Sequence, residues 1–312
     1  MNLNKVVPSY DELPRLPKLD MPHSWAFFGP GDPFGTLNFL TPEVVAEAAR
    51  SVRTGEVVAL SLPADQPDPP LFGREPMRHQ QFDIDRNTKD DVVDNYFPQG
   101  SSQWDGFYHV RAREFGYFGG VEAATDPVDA PLGIELWAER GIAGRGVLID
   151  VEAFLTADGG PGVPVDQEHT ISPGLLQRVV DAQGVRIRQG DILLIRTGWP
   201  AKYAARPAGA EAVTAIPGLH AGEDTARLLW NWHAAAVVTD LPAVEPVPGD
   251  ASVGSLHRRL LPLLGLPLAE LFALEALSAA CARAGRFDFF FTAAPLNLRG
   301  ASGSPGNALA IL

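Results

Sequence analysis

Cysteine is nearly absent: Cys281 is the only one in 312 residues. No internal disulfide can form, and a cysteine-built metal site is excluded. That usage suits a reducing compartment, so a cytoplasmic protein is expected. Long hydrophobic runs are missing as well. No apolar stretch reaches the roughly 20 residues that a bilayer-spanning helix needs, so no membrane role is expected. The opening segment, residues 1–8, lacks the apolar centre of a signal peptide. Positive charge is scarce: 25 Lys and Arg stand against 38 Asp and Glu, a formal net charge of −13. An acidic surface repels phosphate backbones, which excludes nucleic acid as the expected partner. The sequence also has no phosphate loop, no dinucleotide glycine fingerprint and no Gly-x-Ser-x-Gly elbow.

What is present reads as a globular chain with a sizeable core, 46% apolar and 20% charged. Residues 1–40 are rich in proline, glycine and aromatics and read as an irregular arm. Trp25, Phe27 and Phe28 argue that this arm packs on its own domain or on a partner subunit, because disordered segments are poor in aromatics. Regular structure is predicted from Thr41-Pro42-Glu43, which combines a capping hydroxyl, a first-turn proline and an acid at the positive helix end. That helix runs to about Val52 and stops at Gly55. A buried strand is predicted at Glu56–Leu62. Residues 64–100 are polar, proline-rich and aperiodic, as a lid over a site would be. Strands then alternate with helices: strands near 146–151, 191–197, 234–240 and 287–293, helices near 172–183, 221–233 and 274–284. This alternation predicts a layered α/β domain over residues 41–312.

Ligands in such sheets sit beyond the carboxyl ends of strands, where Asp150, Thr197 and Asp240 fall, with Glu245 close behind. The richest polar cluster lies elsewhere, between Gln99 and His109. If that stretch is extended, Gln103, Asp105 and His109 project from one face. A carboxylate and an imidazole so placed can bind a divalent metal or orient a general base. Trp104, Phe107 and Tyr108 would line a pocket for a flat substrate, with core packing as the competing reading. A second candidate pair is His257 with Glu270, the latter set in the apolar run Leu266–Phe272, where a buried acid must be paired, metal-bound or neutralised. Cys281, in a predicted helix, reads as core.

The segment Gln99-Gly-Ser-Ser-Gln-Trp-Asp-Gly-Phe-Tyr-His109 resembles the His-x-Gly-Thr-His-x-Asp-x-Pro-x-His motif of the cyclase-like metal-dependent hydrolases, the family of kynurenine formamidase and isatin hydrolase. Gly190–Trp199 resembles that family's strand-and-turn segment, and Ala294–Pro305 its Pro-Leu…Gly-Ser-Pro ending. His257 and Glu270 fall where the family has its second histidine and glutamate. The likeness covers roughly residues 30–312 and implies the family's swivelling β/α/β fold, a mixed sheet with flanking helices. Gln99 and Gln103 replace two metal-binding histidines, which marks a Gln-Trp-Asp-Gly branch. An amide oxygen is a weaker ligand than imidazole.

The resemblance implies a hydrolase of a cyclic amide, lactone or aryl amide acting on a small molecule. His109 would be the general acid/base, with Asp105 and Gln103 beside it and Gln99 at the substrate. One divalent cation, zinc or manganese, would rest on Asp105, His257 and Glu270, or none would be bound. The alternatives are a metal-independent lyase or cyclase, and a catalytically silent binding protein. The family and the aromatic arm together imply a homo-oligomer, a dimer or tetramer.

Overall fold

The computed structural model describes residues 6–207 and 209–312. Its centre is a mixed sheet of nine strands. In chain order the strands are β1 (Val57–Ala59), β2 (Arg78–Asp85), β3 (Thr88–Asp94), β4 (Gln103–Asp105), β5 (Ile142–Asp150), β6 (Thr170–Ile171), β7 (Ile192–Arg196), β8 (Gly218–Leu219), β9 (Ala236–Thr239), β10 (Leu268–Glu270), β11 (Asp288–Ala293), β12 (Gly303–Pro305) and β13 (Ala308–Ile311). The large sheet runs β1-β13-β11-β5-β7-β9-β10-β4-β12. Its middle, β5-β7-β9-β10, is parallel. Antiparallel strands extend it on both sides.

The parallel strands are largely apolar in their middles because both their faces are covered. Ile192, Leu193, Leu194 and Ile195 have no accessible surface, and neither do Val237 and Val238. Burying each such side chain contributes roughly 1.5–3 kcal/mol. Helices Pro42–Ala49, Pro173–Ala182, Glu223–Asn231 and Glu275–Ala284 flank the sheet. The first two start as their sequences dictate. Thr41 and Ser172 accept from the Val44 and Leu175 amides, and proline follows each cap. Cys281 is buried in the last helix.

The N-terminal residues contribute to this core: Tyr10, Leu13, Phe28, Leu37 and Phe39 are buried in the main apolar cluster. The segment 64–100, expected to be structureless, contains an antiparallel hairpin of β2 and β3. Every residue of both strands is exposed, so no buried face imposed an alternating pattern that the sequence could reveal. Among the described residues no helix is long and apolar enough to cross a membrane.

Candidate active site

β4 joins the sheet by pairing with β10 on one side and β12 on the other. Alternation along β4 sets its chemistry. Trp104 turns into the core, where it has no accessible surface, packs against Trp137, Phe272 and Phe291, and donates its indole N–H to Gly306 O. Gln103 and Asp105 turn to the opposite face and are buried there. The strand stops at Asp105, and the chain reverses so that His109 N bonds back to Gly106 O at 2.9 Å. His109 therefore reaches the site by a turn, not as part of one extended face.

Four residues named from the sequence converge. His257 Nε2 lies 3.5 Å from Asp105 Oδ2 and 3.1 Å from Glu270 Oε1. His109 Nε2 is 3.8 Å from Asp105 Oδ1. Gln103 Nε2 donates to Glu270 Oε2 at 2.7 Å. Gln99 reaches in from the preceding loop, and its Nε2 lies 2.8 Å from both Asp105 Oδ1 and His109 Nδ1. A Cβ at position 303 would sit 2.8 Å from the Gln99 side chain, so glycine there leaves room for the amide. While Asp105 is ionised, the amide nitrogen of Gln99 must face it. The same nitrogen then donates to His109 Nδ1 and leaves the neutral ring's proton on Nε2.

A residue not assigned to the site from the sequence completes it. Glu245 Oε2 lies 2.6 Å from His257 Nδ1 and accepts from the His257 amide, while Ser255 Oγ donates to Glu245 Oε1 at 2.8 Å. A carboxylate on the far nitrogen fixes the orientation and proton position of an imidazole. The only sequence signal was its place in the loop after Asp240.

Burial and charge pull these groups apart. Burial would raise Asp105, but His109 and His257 nearby and the Gln99 hydrogen bond hold it below the usual carboxylate range. Burial, with Asp105 adding to it, pushes Glu270 up to about 7. His257 is raised well above an ordinary histidine: burial opposes its charge, and Glu245, Glu270 and Asp105 overcome that. His109 is lowered by burial, with His257 and Arg74 adding to the effect.

Among the described residues, two buried oxygens here have no hydrogen-bond partner, Asp105 Oδ2 and Gln103 Oε1. Orphaned acceptors beside an imidazole are what a cation would satisfy. Asp105, His109 and His257 each offer a donor atom within 4.8 Å of the others and could hold a metal ion. This grouping differs from the expected Asp105, His257 and Glu270. Glu270 already spends Oε1 on the Val244 amide at 2.7 Å and Oε2 on Gln103.

The expected aromatic pocket is corrected in part. Phe107, like Trp104, is packed in the core with no accessible surface, against Phe118 and Trp137. Tyr108 does line a cavity, of about 420 Å³, which it shares with Gln99 and residues 300–303. The strand-end acids serve the fold. Asp150 caps the helix Val151–Thr156 and pairs with Arg196. Asp240 accepts from Thr197 N, Thr197 Oγ1 and Gly198 N.

The family model of the Cyclase family, described as "Putative cyclase", matches residues 58–246. A crystal structure of a novel cyclase superposes with a TM-score of 0.82 at 30% identity, over 96% of this chain and 100% of that one. Isatin hydrolase A from Labrenzia aggregata, bound to benzyl benzoate, superposes with a TM-score of 0.57 at 19% identity, over 88% of this chain and 98% of that one. An isatin hydrolase bound to the product analogue thioisatinate gives 0.56 at 16% identity, over 82% and 92%. The last two likenesses are of fold. No curated protein matches the chain significantly.

Proposed function

The chain belongs to the Cyclase family, and on that premise we propose that it hydrolyses a cyclic amide, lactone or aryl amide, with His109 as general acid/base. Hydrolase-type function is supported by the family and by the hydrolases that share the fold. The cyclic-amide class is suggested by the isatin hydrolases, which by name act on one. The observation that carries the reading is the convergence of His109, Asp105, His257 and Glu270 on one half-open site, in which the His109 side chain keeps 32% exposure.

In this reaction water adds to the carbonyl carbon and the C–N or C–O bond breaks. A proton from the water ends on the leaving nitrogen or oxygen. His109 Nε2–H is the proton placed to pass to the leaving nitrogen or oxygen, and the emptied Nε2 then takes the proton that the water gives up, because Nδ1 is held by Gln99. Its lowered pKa keeps the ring neutral near pH 7, ready to shuttle a proton rather than to sit as a fixed charge. Glu245 holds the His257 ring, and Gln103 holds Glu270. The donor set fits a divalent cation such as zinc or manganese on Asp105 and His257, with His109 in the same cluster. When bound, such an ion polarises the carbonyl and lowers the pKa of water. Occupancy requires His257 to give up the proton that its three acidic neighbours favour.

That competition supports a second reading, a metal-independent lyase or cyclase. In it Glu270 and the protonated His257 form an acid–base pair across 3.1 Å. Elemental analysis of active protein purified without chelator separates the two. Stoichiometric zinc or manganese, lost together with hydrolysis of a lactone and aryl amide panel on chelation, is expected. Full hydrolytic activity in metal-free protein would overturn the metal-assisted route. Failure to hydrolyse any member of the panel would overturn the hydrolase.

A further inference from the structure

On its His257 side the site opens into a cavity of about 650 Å³ whose wall includes Glu245, His257, Arg113, Arg258 and Arg259. Its volume lies in the range of small-molecule sites, roughly 300–1,000 Å³. The charges of this wall do not cancel. Arg259 is tied down, donating through Nε to Ala221 O and through Nη2 to Val253 O, with Glu223 3.6 Å from Nη1. Arg258 makes no side-chain hydrogen bond or salt bridge among the described residues, and its Nε is buried without a partner. Arg113 has no ion-pair partner among the described residues either. Of the acids on the same wall, Glu245 is paired with His257 and bonded to Ser255, and Asp250 is turned to the Ser252 amide and hydroxyl; neither forms an ion pair with Arg258 or Arg113 among the described residues.

Arg113 is also strained. Its φ of +51° lies in the left-handed region, which costs a residue with a side chain on the order of 1–3 kcal/mol and is concentrated at ligand sites. The structure thus holds two guanidiniums without an ion-pair partner among the described residues on one cavity, Arg258 partly buried and Arg113 exposed, in a chain whose net charge is −13. Like charges side by side repel, and a ligand of opposite charge relieves that repulsion. The planar guanidinium fork matches a carboxylate in two parallel hydrogen bonds.

We propose that this cavity is an anion subsite in which Arg258 and Arg113 clamp a carboxylate of the substrate, with the bond to be cut lying toward His257 and His109. The substrate would then be a lactone or amide that carries a carboxylate apart from its scissile group. The binding step stands on the cavity itself, and the substrate class rests on the hydrolase reading.

Calorimetric titration with benzoate and with its neutral isostere benzamide tests it. Benzoate is expected to bind the intact protein with benzamide at least about tenfold weaker. Arg258→Gln and Arg113→Gln should each weaken benzoate by about tenfold, and Arg258→Lys by less. Benzoate binding should also weaken as salt is raised, a readout independent of any variant's folding. No benzoate binding at millimolar concentration, equal binding of benzamide, or benzoate binding indifferent to both well-folded arginine variants would overturn the subsite. Arginine-dependent benzoate binding without turnover of the lactone and amide panel would sink the hydrolase and leave the subsite standing. Turnover of neutral panel members by a protein that ignores benzoate would do the reverse.

Discussion

Gln103 and Glu270 are bound to each other twice: they face one another in the antiparallel register of β4 and β10, and the Gln103 amide donates to the Glu270 carboxylate at 2.7 Å. This pair fixes where the buried acid of the site points. Gln103→Ala would leave Glu270 Oε2 buried and unpartnered. The expected loss is about 1–3 kcal/mol of stability, read as a lower urea midpoint at unchanged slope. An unchanged midpoint would show that Glu270 finds another donor or is protonated.

His109 is exposed enough to change without loss of fold. His109→Gln is expected to lower kcat of the proposed hydrolysis by about 10²- to 10⁴-fold, the usual share of a general acid/base, with KM little altered. Because burial lowers its pKa from the ordinary 6.5, the acid limb of the wild-type pH profile should fall below pH 6.5. A limb above that value would assign the titration to another group.

Glu245 orients His257 across 2.6 Å. Glu245→Gln keeps the shape and removes the charge. By analogy with other carboxylates that orient a metal-binding histidine, divalent cation affinity is expected to fall about 10- to 100-fold. Equilibrium dialysis against manganese measures this directly. Equal affinity in variant and wild type would mean that His257 is not part of the cation site.

Asp240 is fully buried, and burial pushes its pKa up to about 7 despite the Thr197 and Gly198 hydrogen bonds. An unfolded aspartate titrates near 3.9. The folded state therefore binds the proton more tightly. The stability this gives is complete below about pH 4 and is lost as pH rises through about 7. Asp240→Asn removes that dependence, so its stability relative to wild type should improve between pH 4 and 7 in paired denaturation curves. Parallel curves across that range would show that Asp240 stays ionised.

Cys281 is buried and its thiol is pushed up to about 12, chiefly by burial. It is expected to resist a thiol-specific chromogenic reagent in native protein at pH 8 and to react at one equivalent in urea. Fast native labelling would place the thiol at the surface.

The parallel strands were legible because burial on both faces turns them into continuous apolar runs, as in Ile192–Arg196. Helix starts at Thr41 and Ser172 were legible because capping is a local event. The β2–β3 hairpin was hidden, since neither of its faces is buried. In the site, Asp105 was named from the polar segment 99–109 and His257 with Glu270 from the apolar run around the acid, while their meeting depends on pairings far apart in sequence. Glu245 and the arginine wall were missed for a similar reason. Nothing periodic marks an acid in a proline-rich loop as the partner of a histidine 12 residues later, and the unpaired state of Arg113 and Arg258 exists only once the surrounding chain is in place.

The pairing of β4 with β10 closes a gap of 167 residues between Gln103 and Glu270. A contact so distant along the chain is entropically slow to form and is rewarded only when the intervening strands are already docked. A fragment that lacks either β4 or β10 therefore lacks the site. During refolding, recovery of ligand binding should coincide with the last and slowest phase, after most helical signal has returned, which makes the site a reporter of complete assembly.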